Sequence, residues 1–209
     1  KEGIYYTPQY IVEDMMRDVV DVEHKTFLDP CCGSGNFIIE AIKKGFSPEN
    51  VYGFDIDENA VLITKKRIKD ISGYESDNIV CADFLSCQPS AISRQFSDSQ
   101  ILRFSDFQIL RFDYIFTNPP WGKKLNKKDK NRYSELYNSG NSSDTSSLFY
   151  FASLQMLKEN GKIGFLLPDS FFNITTFEDA RKSLLSLNIE RLIDYGKPFK
   201  GLMTKAMAF

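Results

Sequence analysis

The chain has 209 residues, a net formal charge of −2, a hydrophobic fraction of 42% and an aromatic fraction of 14%. These values indicate one globular domain with a sizeable core, and they exclude a domain that is basic throughout. No run approaches the ~18 apolar residues of a membrane span, no signal-peptide pattern is present, and the cysteines lack the spacing of a zinc site. We therefore expect a cytoplasmic protein with reduced thiols and neither membrane nor metal partner.

The first predicted helix begins just after Tyr6. Thr7 suits the N-cap position and Pro8 suits the first helical position. Apolar residues then recur at helical spacing, at Ile11, Val12, Met15, Met16, Val19 and Val20. This stripe predicts a helix that packs against the core.

A glycine loop follows the first predicted strand, Thr26–Asp29. The loop, Pro30–Phe37, contains Gly33 and Gly35, and a helix is predicted through Ile38–Ile42. A strand, a Gly-x-Gly loop and a helix form the nucleotide-binding unit of a doubly wound α/β fold. The Gly-x-Gly pair alone is weak evidence, because the third glycine of a nicotinamide site is absent.

Carboxylates stand at the ends of three predicted strands. Val51–Asp55 ends in an acid that can accept both hydroxyl protons of a ribose, and Asp83 follows the third strand, 78–82. Asp57 is better explained as a cap of the next helix. If the strands are parallel, Asp29, Asp55 and Asp83 share the edge of the sheet at which ligands bind.

Residues 97–112 consist of an octapeptide that occurs twice in tandem with one difference between the copies. The period is too short for a repeat architecture, in which it exceeds ~20 residues. We interpret it as a local duplication in an elaborated connection and assign it no function.

The segment 117–121 carries the predicted chemistry. It follows an apolar strand at 112–116, and Pro119 and Pro120 enforce a stiff, extended exit from that strand. The side-chain oxygen of Asn118 and the Pro119 carbonyl can accept both hydrogens of an exocyclic amine, while the Trp121 ring stacks on a flat base. The alternative is an ordinary Pro-Pro loop end with an incidental asparagine.

Six basic residues fall within ten positions directly after this turn: Lys123, Lys124, Lys127, Lys128, Lys130 and Arg132. A solvated loop and a surface that follows a phosphate backbone are equally good interpretations. The Ser-, Asn- and Gly-rich stretch 138–147 predicts a mobile loop. Helices are predicted at 147–159 and 177–187, and strands at 162–167, 191–195 and 205–209.

The motifs, in this order, resemble those of the S-adenosylmethionine-dependent adenine-N6 DNA methyltransferases of restriction–modification systems. The matching segments are Gly3–Pro8 (N-terminal cofactor motif), Asp29–Phe37 (glycine loop), Phe54–Asp57 (ribose-binding acid), Cys81–Leu85 (adenine-ring contact), Asn118–Trp121 (catalytic motif) and Gly196–Lys200 (base-stacking segment). Apart from residues 86–111 and the basic run, the resemblance covers the chain. The whole set is highly specific, whereas its single motifs are not.

The resemblance implies a Rossmann-like α/β fold, a doubly wound and mostly parallel seven-stranded sheet whose last strand is antiparallel. It implies S-adenosylmethionine bound by Tyr6, Thr7, Pro8, Asp29, Cys31, Gly33, Gly35, Phe37, Asp55, Ile56, Asp83 and Phe84. The catalytic set is Asn118, Pro119, Pro120, Trp121 and Phe199, the last as the second face of a clamp around the base. Lys123, Lys124, Lys127 and Lys128 are the expected DNA contacts.

The expected partner is double-stranded DNA with an adenine flipped out of the duplex, in the cytoplasm of a prokaryote. We expect residues 1–209 to be a catalytic domain whose target-recognition region lies in missing sequence or in a partner subunit. A cognate nuclease is a further expected partner. Two alternatives stay open. One is a methyltransferase that acts on a protein glutamine or an RNA base amine, and the other is a cofactor-binding subunit without catalysis.

Overall fold

The computed structural model describes residues 6–86, 111–122, 125–142, 144–199 and 203–209. Several sequence-based expectations lie outside these residues: Gly3–Tyr5 of the N-terminal motif, residues 97–110 of the tandem octapeptide, Lys123, Lys124 and Lys200. Within the described part of the chain, no helix is both long and apolar enough to traverse a bilayer.

Seven strands form one sheet. They are β1 (Phe27–Asp29), β2 (Val51–Asp55), β3 (Ile79–Cys81), β4 (Phe112–Thr117), β5 (Leu157–Pro168), β6 (Ile193–Gly196) and β7 (Ala206–Ala208). Their order across the sheet is β3-β2-β1-β4-β5-β7-β6. All neighbouring pairs from β3 to β5 are parallel, and β7 runs antiparallel to both β5 and β6. The predicted α/β fold, with a mostly parallel sheet and an antiparallel last strand, is confirmed.

Six α-helices accompany the sheet in the described residues. They are α1 (Gln9–Met15), α2 (Asn36–Lys43), α3 (Glu58–Ser72), α4 (Lys127–Tyr137), α5 (Thr145–Met156) and α6 (Glu178–Leu185). Neighbouring residues on one strand point to opposite faces, so Phe27 and Leu28 of β1 belong to two different core clusters. The Phe27 cluster includes residues of α1, α2 and α3, and the Leu28 cluster includes residues of α4, α5 and α6. The sheet is therefore covered on both faces, as in a doubly wound fold.

The chain order places a switch point between β1 and β4. From β1 the chain proceeds outward through β2 to β3, and it then crosses back to β4 on the other side of β1. Ligands of such sheets bind at the carboxyl ends of the strands beside this reversal. The residues that end β1 and β4, Asp29 and Thr117, lie there.

The start of α1 differs from the prediction. The helix begins at Gln9 and Pro8 is the N-cap residue, without a side-chain hydrogen bond, so Thr7 is not the cap. The Thr7 carbonyl instead accepts a hydrogen bond from Asn36 Nδ2 at 2.8 Å. The N-terminal segment is thereby tied to the residue that follows the glycine loop.

Helix α4 is absent from the sequence-based prediction, which placed a loop over the basic run. Asn126 caps the helix, since its side chain accepts from the Asp129 N–H at 2.9 Å. Tyr133 and Tyr137, four residues apart, are buried on the same face of the helix. Two tyrosines at a spacing of four residues indicate a helix with one buried face. The sequence-based prediction missed this pattern because the lysines around it favour an exposed loop.

The stretch predicted as a mobile loop, 138–147, is in its described part closely packed at several positions, and its last three residues belong to α5. Ser139 and Ser142 are fully buried. The Ser142 hydroxyl accepts a hydrogen bond from the Ala180 N–H at 3.1 Å, at the start of α6. Small polar residues are used here to bring a connection close to α6, and composition alone does not distinguish that use from an exposed loop.

Candidate active site

A cavity of about 1230 Å³ opens at the carboxyl ends of the central strands. Fifteen residues predicted for the site line it: Tyr6, Thr7, Asp29, Cys31, Gly33, Phe37, Asp55, Ile56, Asp83, Phe84, Asn118, Pro119, Pro120, Trp121 and Phe199. Pro8, Gly35, Lys127 and Lys128 do not line it. Segments that are far apart in the sequence therefore converge on one cavity.

The glycine loop is held against α3. Gly35 has a φ of +83°, and a Cβ on it would lie 2.7 Å from the Oγ1 of Thr64, so a side chain is excluded there. The Thr64 hydroxyl donates to the Gly33 carbonyl at 2.9 Å. Gly35 thus allows the loop to approach the helix, whereas Gly33 lines the cavity.

The N-terminal segment covers the loop from the other side. Ring atoms of Tyr6 lie 3.6 Å from the position that a Cβ on Gly33 would take. The Tyr6 side chain is 50% exposed, so one face of the ring contacts the loop and much of the rest contacts solvent. Together with the Asn36–Thr7 hydrogen bond, this contact places Tyr6 and Thr7 at the cavity wall.

The carboxylate of Asp55 has a fixed orientation at the end of β2. One oxygen accepts from the Gly33 N–H at 2.8 Å, and the other accepts from the Asp57 N–H at 2.9 Å. A carboxylate has about four acceptor directions, so it can accept further donors while it holds the loop. Asp57 caps α3 by accepting from the Asn59 N–H at 3.0 Å, as predicted.

Asp29 is buried, with only 1% of its surface exposed. Its Oδ1 accepts from the Thr117 hydroxyl at 2.7 Å and from the Cys31 N–H at 3.1 Å. Burial raises the pKa of the Asp29 carboxyl to about 7, these two hydrogen bonds oppose the rise, and the nearby Asp55 adds to it. The carboxyl group therefore changes its protonation state near neutral pH.

Asp83 and Phe84 follow β3. Phe84 is buried and packs against Phe54, with ring centroids 5.5 Å apart. Asp83 is exposed, and its carboxylate accepts from the Leu85 N–H at 3.1 Å and from the Ser86 hydroxyl at 2.7 Å. The third predicted carboxylate is thus also held by local hydrogen bonds at the cavity.

Asn118 has a buried acceptor that finds no donor. Among the described residues, its Oδ1 is buried without a hydrogen-bond partner. Its backbone carbonyl accepts from the Cys31 thiol at 3.0 Å. Burial raises the pKa of this thiol well above its ordinary value, which keeps the proton available for donation. An unmade buried hydrogen bond costs about 1–3 kcal/mol, so this oxygen is suited to a donor supplied by a ligand.

The aromatic residues at the cavity are arranged differently from the expected clamp. The Trp121 and Phe199 rings contact each other edge to face, with centroids 5.4 Å apart and an interplanar angle of 83°. The Trp121 indole N–H donates to the Leu166 carbonyl at 3.1 Å. The two rings are not parallel faces with a gap between them, because Phe199 packs directly against Trp121.

The basic residues have a separate location. Lys127 and Lys128 are exposed in the first turn of α4 and lie outside the cavity lining, so any role is at the surface beside it. The prediction missed several residues that line the cavity near that helix and near the end of β5: Leu125, Tyr133, Thr145, Phe149, Pro168 and Ser170. The packing of α4 and α5 brings Tyr133, Thr145 and Phe149 to the site, and the end of β5 brings Pro168 and Ser170.

Several known proteins are similar to this chain in sequence or in structure. Residues 49–200 match the family model of the Eco57I restriction-modification methylase. Type II methyltransferase M.VspI of Vibrio sp. (strain 343) is 49% identical over 207 residues, which is 99% of this chain and 47% of that protein. Modification methylase CviBIII of Paramecium bursaria Chlorella virus NC1A is 25% identical over 193 residues, 90% of this chain and 44% of that protein.

Among solved structures, the DrdV–DNA complex has a TM-score of 0.77 at 19% identity, over 99% of this chain and 26% of that one. At this identity the likeness shows the fold. The chain spans about half the length of the curated relatives named above.

Proposed function

This chain belongs to the Eco57I restriction-modification methylase family, and we propose that it transfers a methyl group from S-adenosylmethionine to N6 of an adenine flipped out of DNA. The observation that carries this proposal is the buried Oδ1 of Asn118, which has no hydrogen-bond partner among the described residues and lies in the wall of the same cavity as the glycine loop and Asp55. An exocyclic amine supplies the hydrogen-bond donor that this acceptor lacks.

The residues of the cavity fit the proposed cofactor. The fold is that of class I S-adenosylmethionine-dependent methyltransferases, and the cofactor supplies a methyl group that is already activated on a sulfonium. The orientation of Asp55 by two backbone N–H groups supports its proposed role as acceptor for the ribose hydroxyls. Asp29, buried beside the glycine loop, is suited to a positively charged group when its carboxyl is ionised.

The catalytic task of the protein is to orient a poor nucleophile. The lone pair of adenine N6 is delocalised into the ring. Hydrogen bonds from the amine to Asn118 Oδ1 and to the Pro119 carbonyl favour a pyramidal nitrogen whose lone pair faces the methyl group. This role consists of positioning and electrostatic preorganisation, for which one well-placed group contributes roughly 10²–10³ in rate.

Trp121 is the proposed stacking surface for the base. Its indole N–H is bound to the Leu166 carbonyl, so the plane of the ring is fixed before the base arrives. A flipped base loses a few kcal/mol of stacking in the duplex, and stacking on an aromatic ring offsets part of that loss. If Phe199 is to form the second face, its ring must leave the edge-to-face contact with Trp121.

Lys127 and Lys128 are proposed DNA backbone contacts, together with Lys123 and Lys124 of the same basic run. The exposure of Lys127 and Lys128 at the start of α4, outside the cavity, supports contact with phosphates rather than with the reacting base. The recognition sequence then depends on a further region or subunit of the restriction–modification system.

The proposal is tested by methyl transfer with the full-length protein. Labelled S-adenosylmethionine is offered with duplex DNA, with tRNA and with a release-factor protein, and the modified DNA is digested to nucleosides. We expect label in DNA alone, as N6-methyladenine. Label in tRNA or in glutamine would assign the site to another substrate class, and N4-methylcytosine would overturn the choice of adenine.

A further inference from the structure

Helix α4 presents a chain of hydroxyl groups that ends on Asp83. The Tyr133 hydroxyl lies 2.8 Å from Ser86 Oγ, and Ser86 Oγ donates to Asp83 Oδ2 at 2.7 Å. A serine hydroxyl has one proton, and here that proton is given to the carboxylate. The Tyr133 hydroxyl also donates to Asp83 Oδ2 directly, over 3.4 Å, so Tyr133 reaches the carboxylate both through Ser86 and by its own hydroxyl.

Tyr133 is itself held rigidly. It is 5% exposed, and its ring stacks on that of Tyr137 with centroids 6.2 Å apart. The Tyr137 hydroxyl donates to the Leu85 carbonyl at 2.5 Å, which fastens α4 to the segment that follows β3. Burial raises the pKa of the Tyr133 phenol, the bond to Ser86 opposes this rise, and the Asp83 charge adds to it. The phenol stays protonated at neutral pH and can donate.

Both ends of this chain reach the cavity. Tyr133 and Asp83 line it, next to Ile56 and Phe84. Asp83 is exposed, and an exposed carboxylate samples several rotamers that a ligand must restrict when it binds. A donor chain that orders the carboxylate beforehand reduces that cost. A carboxylate has about four acceptor directions, so ordering by protein donors is compatible with accepting a ligand N–H.

We infer that Tyr133 is a positioning residue that holds Asp83, directly and through Ser86, in the orientation in which Asp83 accepts the 6-amino group of the cofactor's adenosine. This inference rests on the proposed function and on the resemblance of Cys81–Leu85 to the segment that contacts the adenine ring of S-adenosylmethionine in the related methyltransferases. It assigns to α4, whose outer surface carries the basic residues, a second role at the cofactor.

The test measures how strongly the protein distinguishes an adenosine ligand from one without the amine. Calorimetry with the full-length protein gives the Kd of S-adenosylhomocysteine and of its analogue in which purine riboside, lacking the 6-amino group, replaces adenosine. For the wild type, the Kd of the analogue should be roughly tenfold or more above that of S-adenosylhomocysteine, because the analogue lacks a hydrogen bond to a charged group. Tyr133→Phe is expected to reduce this ratio at least threefold, and Asp83→Ala to bring it close to one.

Two further variants separate positioning from general stability. Ser86→Ala interrupts the same chain, so it should reduce the ratio as Tyr133→Phe does, and it serves in its place if the tyrosine variant does not fold. Tyr137→Phe is the matched control, because it removes a hydroxyl of the same helix whose acceptor is a backbone carbonyl. It should leave the ratio unchanged even if it lowers the melting temperature.

In the Asp83→Ala background, Tyr133→Phe should have no additional effect on the ratio. The inference is overturned if Tyr133→Phe and Ser86→Ala keep the wild-type ratio while Asp83→Ala loses it, and in that case the proposed function stands. A wild-type ratio near one also overturns it, because Asp83 then does not accept the amine. Failure of the wild type to bind S-adenosylhomocysteine at all would count against the proposed function itself.

Discussion

The hydroxyl of Thr117 donates to the carboxylate of Asp29 over 2.7 Å, and this bond joins the last residue of β4 to the last residue of β1. Asn118 follows Thr117 directly, and Cys31 follows Asp29 by two positions and donates to the Asn118 carbonyl. The proposed nucleophile-orienting residue is therefore bonded to Cys31 of the glycine loop, and the neighbouring residues Thr117 and Asp29 are bonded to each other across the switch point of the sheet.

Replacing Thr117 by Val keeps the shape of the side chain and removes its donor. We expect the free energy of unfolding to fall by about 1.5–3 kcal/mol at pH 8, where Asp29 is ionised, and by about 0.5–1.5 kcal/mol at pH 5, where it is neutral. Urea unfolding at both pH values measures the difference. Thr117→Ser retains the hydroxyl and should lose much less stability, whereas an equal loss in both variants would point to packing alone.

Asp29 should make stability depend on pH. Its carboxyl has a pKa of about 7 in the folded protein and an ordinary value of 3.8. Between these two pKa values the folded state holds one more proton than the unfolded state. The free energy of unfolding therefore falls as pH rises from about 4 to about 7, by roughly 4 kcal/mol at most. Above about pH 7 this contribution no longer changes with pH. Asp29→Asn removes this contribution. Urea unfolding from pH 4 to pH 8 should give the variant a flatter profile, and identical profiles would contradict the raised pKa.

Asn118→Ala should abolish most of the methyl transfer. We expect kcat to fall by at least roughly 10²-fold, because the group that orients the amine is lost, with the Kd of S-adenosylmethionine unchanged within about twofold. Because the described part of the chain offers Asn118 Oδ1 no hydrogen-bond partner, its removal should not destabilise the fold through lost hydrogen bonding. Asn59→Ala, an exposed position on α3, is the control. Turnover that survives the loss of the amide would remove Asn118 from the mechanism.

Asp55→Ala and Asp57→Ala should separate cofactor binding from helix capping. The first variant removes the acceptor for the Gly33 N–H and the proposed ribose contact, so the Kd of S-adenosylmethionine should rise at least tenfold. The second removes the cap of α3 and should cost about 1 kcal/mol of stability with little change in that Kd. Calorimetry and thermal unfolding measure the two effects, and equal Kd values in both variants would refute the assignment.

The double variant Lys127→Gln, Lys128→Gln should bind DNA more weakly, and its affinity should depend less steeply on salt concentration. Each lost phosphate contact lowers the magnitude of the slope of log K against log salt concentration by about 0.9. Fluorescence anisotropy with a labelled duplex at several salt concentrations gives the slope. The matched control is Lys65→Gln with Lys66→Gln on α3, which changes the net charge equally. If both double variants have the same slope, the start of α4 is solvated surface.

The parts of the fold that could be predicted are those encoded in contiguous residues. Gly33, Asp55 and Asn118 each follow a run of apolar residues, and a parallel sheet brings the ends of such runs to one edge. Tyr133 could not be placed this way, because its route to Asp83 exists only once α4 packs beside the end of β3. The edge-to-face contact of Trp121 with Phe199 likewise depends on packing between segments that are distant in the sequence.

Strand β7 lies between β5 and β6, and β6 pairs with β7 alone among the described strands. During synthesis, β6 therefore leaves the ribosome before the strand that connects it to the sheet exists. When synthesis has reached Gly196, β5 is an unpaired edge strand of the sheet. This edge is covered only when Ala206–Ala208 pairs with β5 in the antiparallel direction. Interruption of translation between these points would leave the backbone groups of two strands available for intermolecular association.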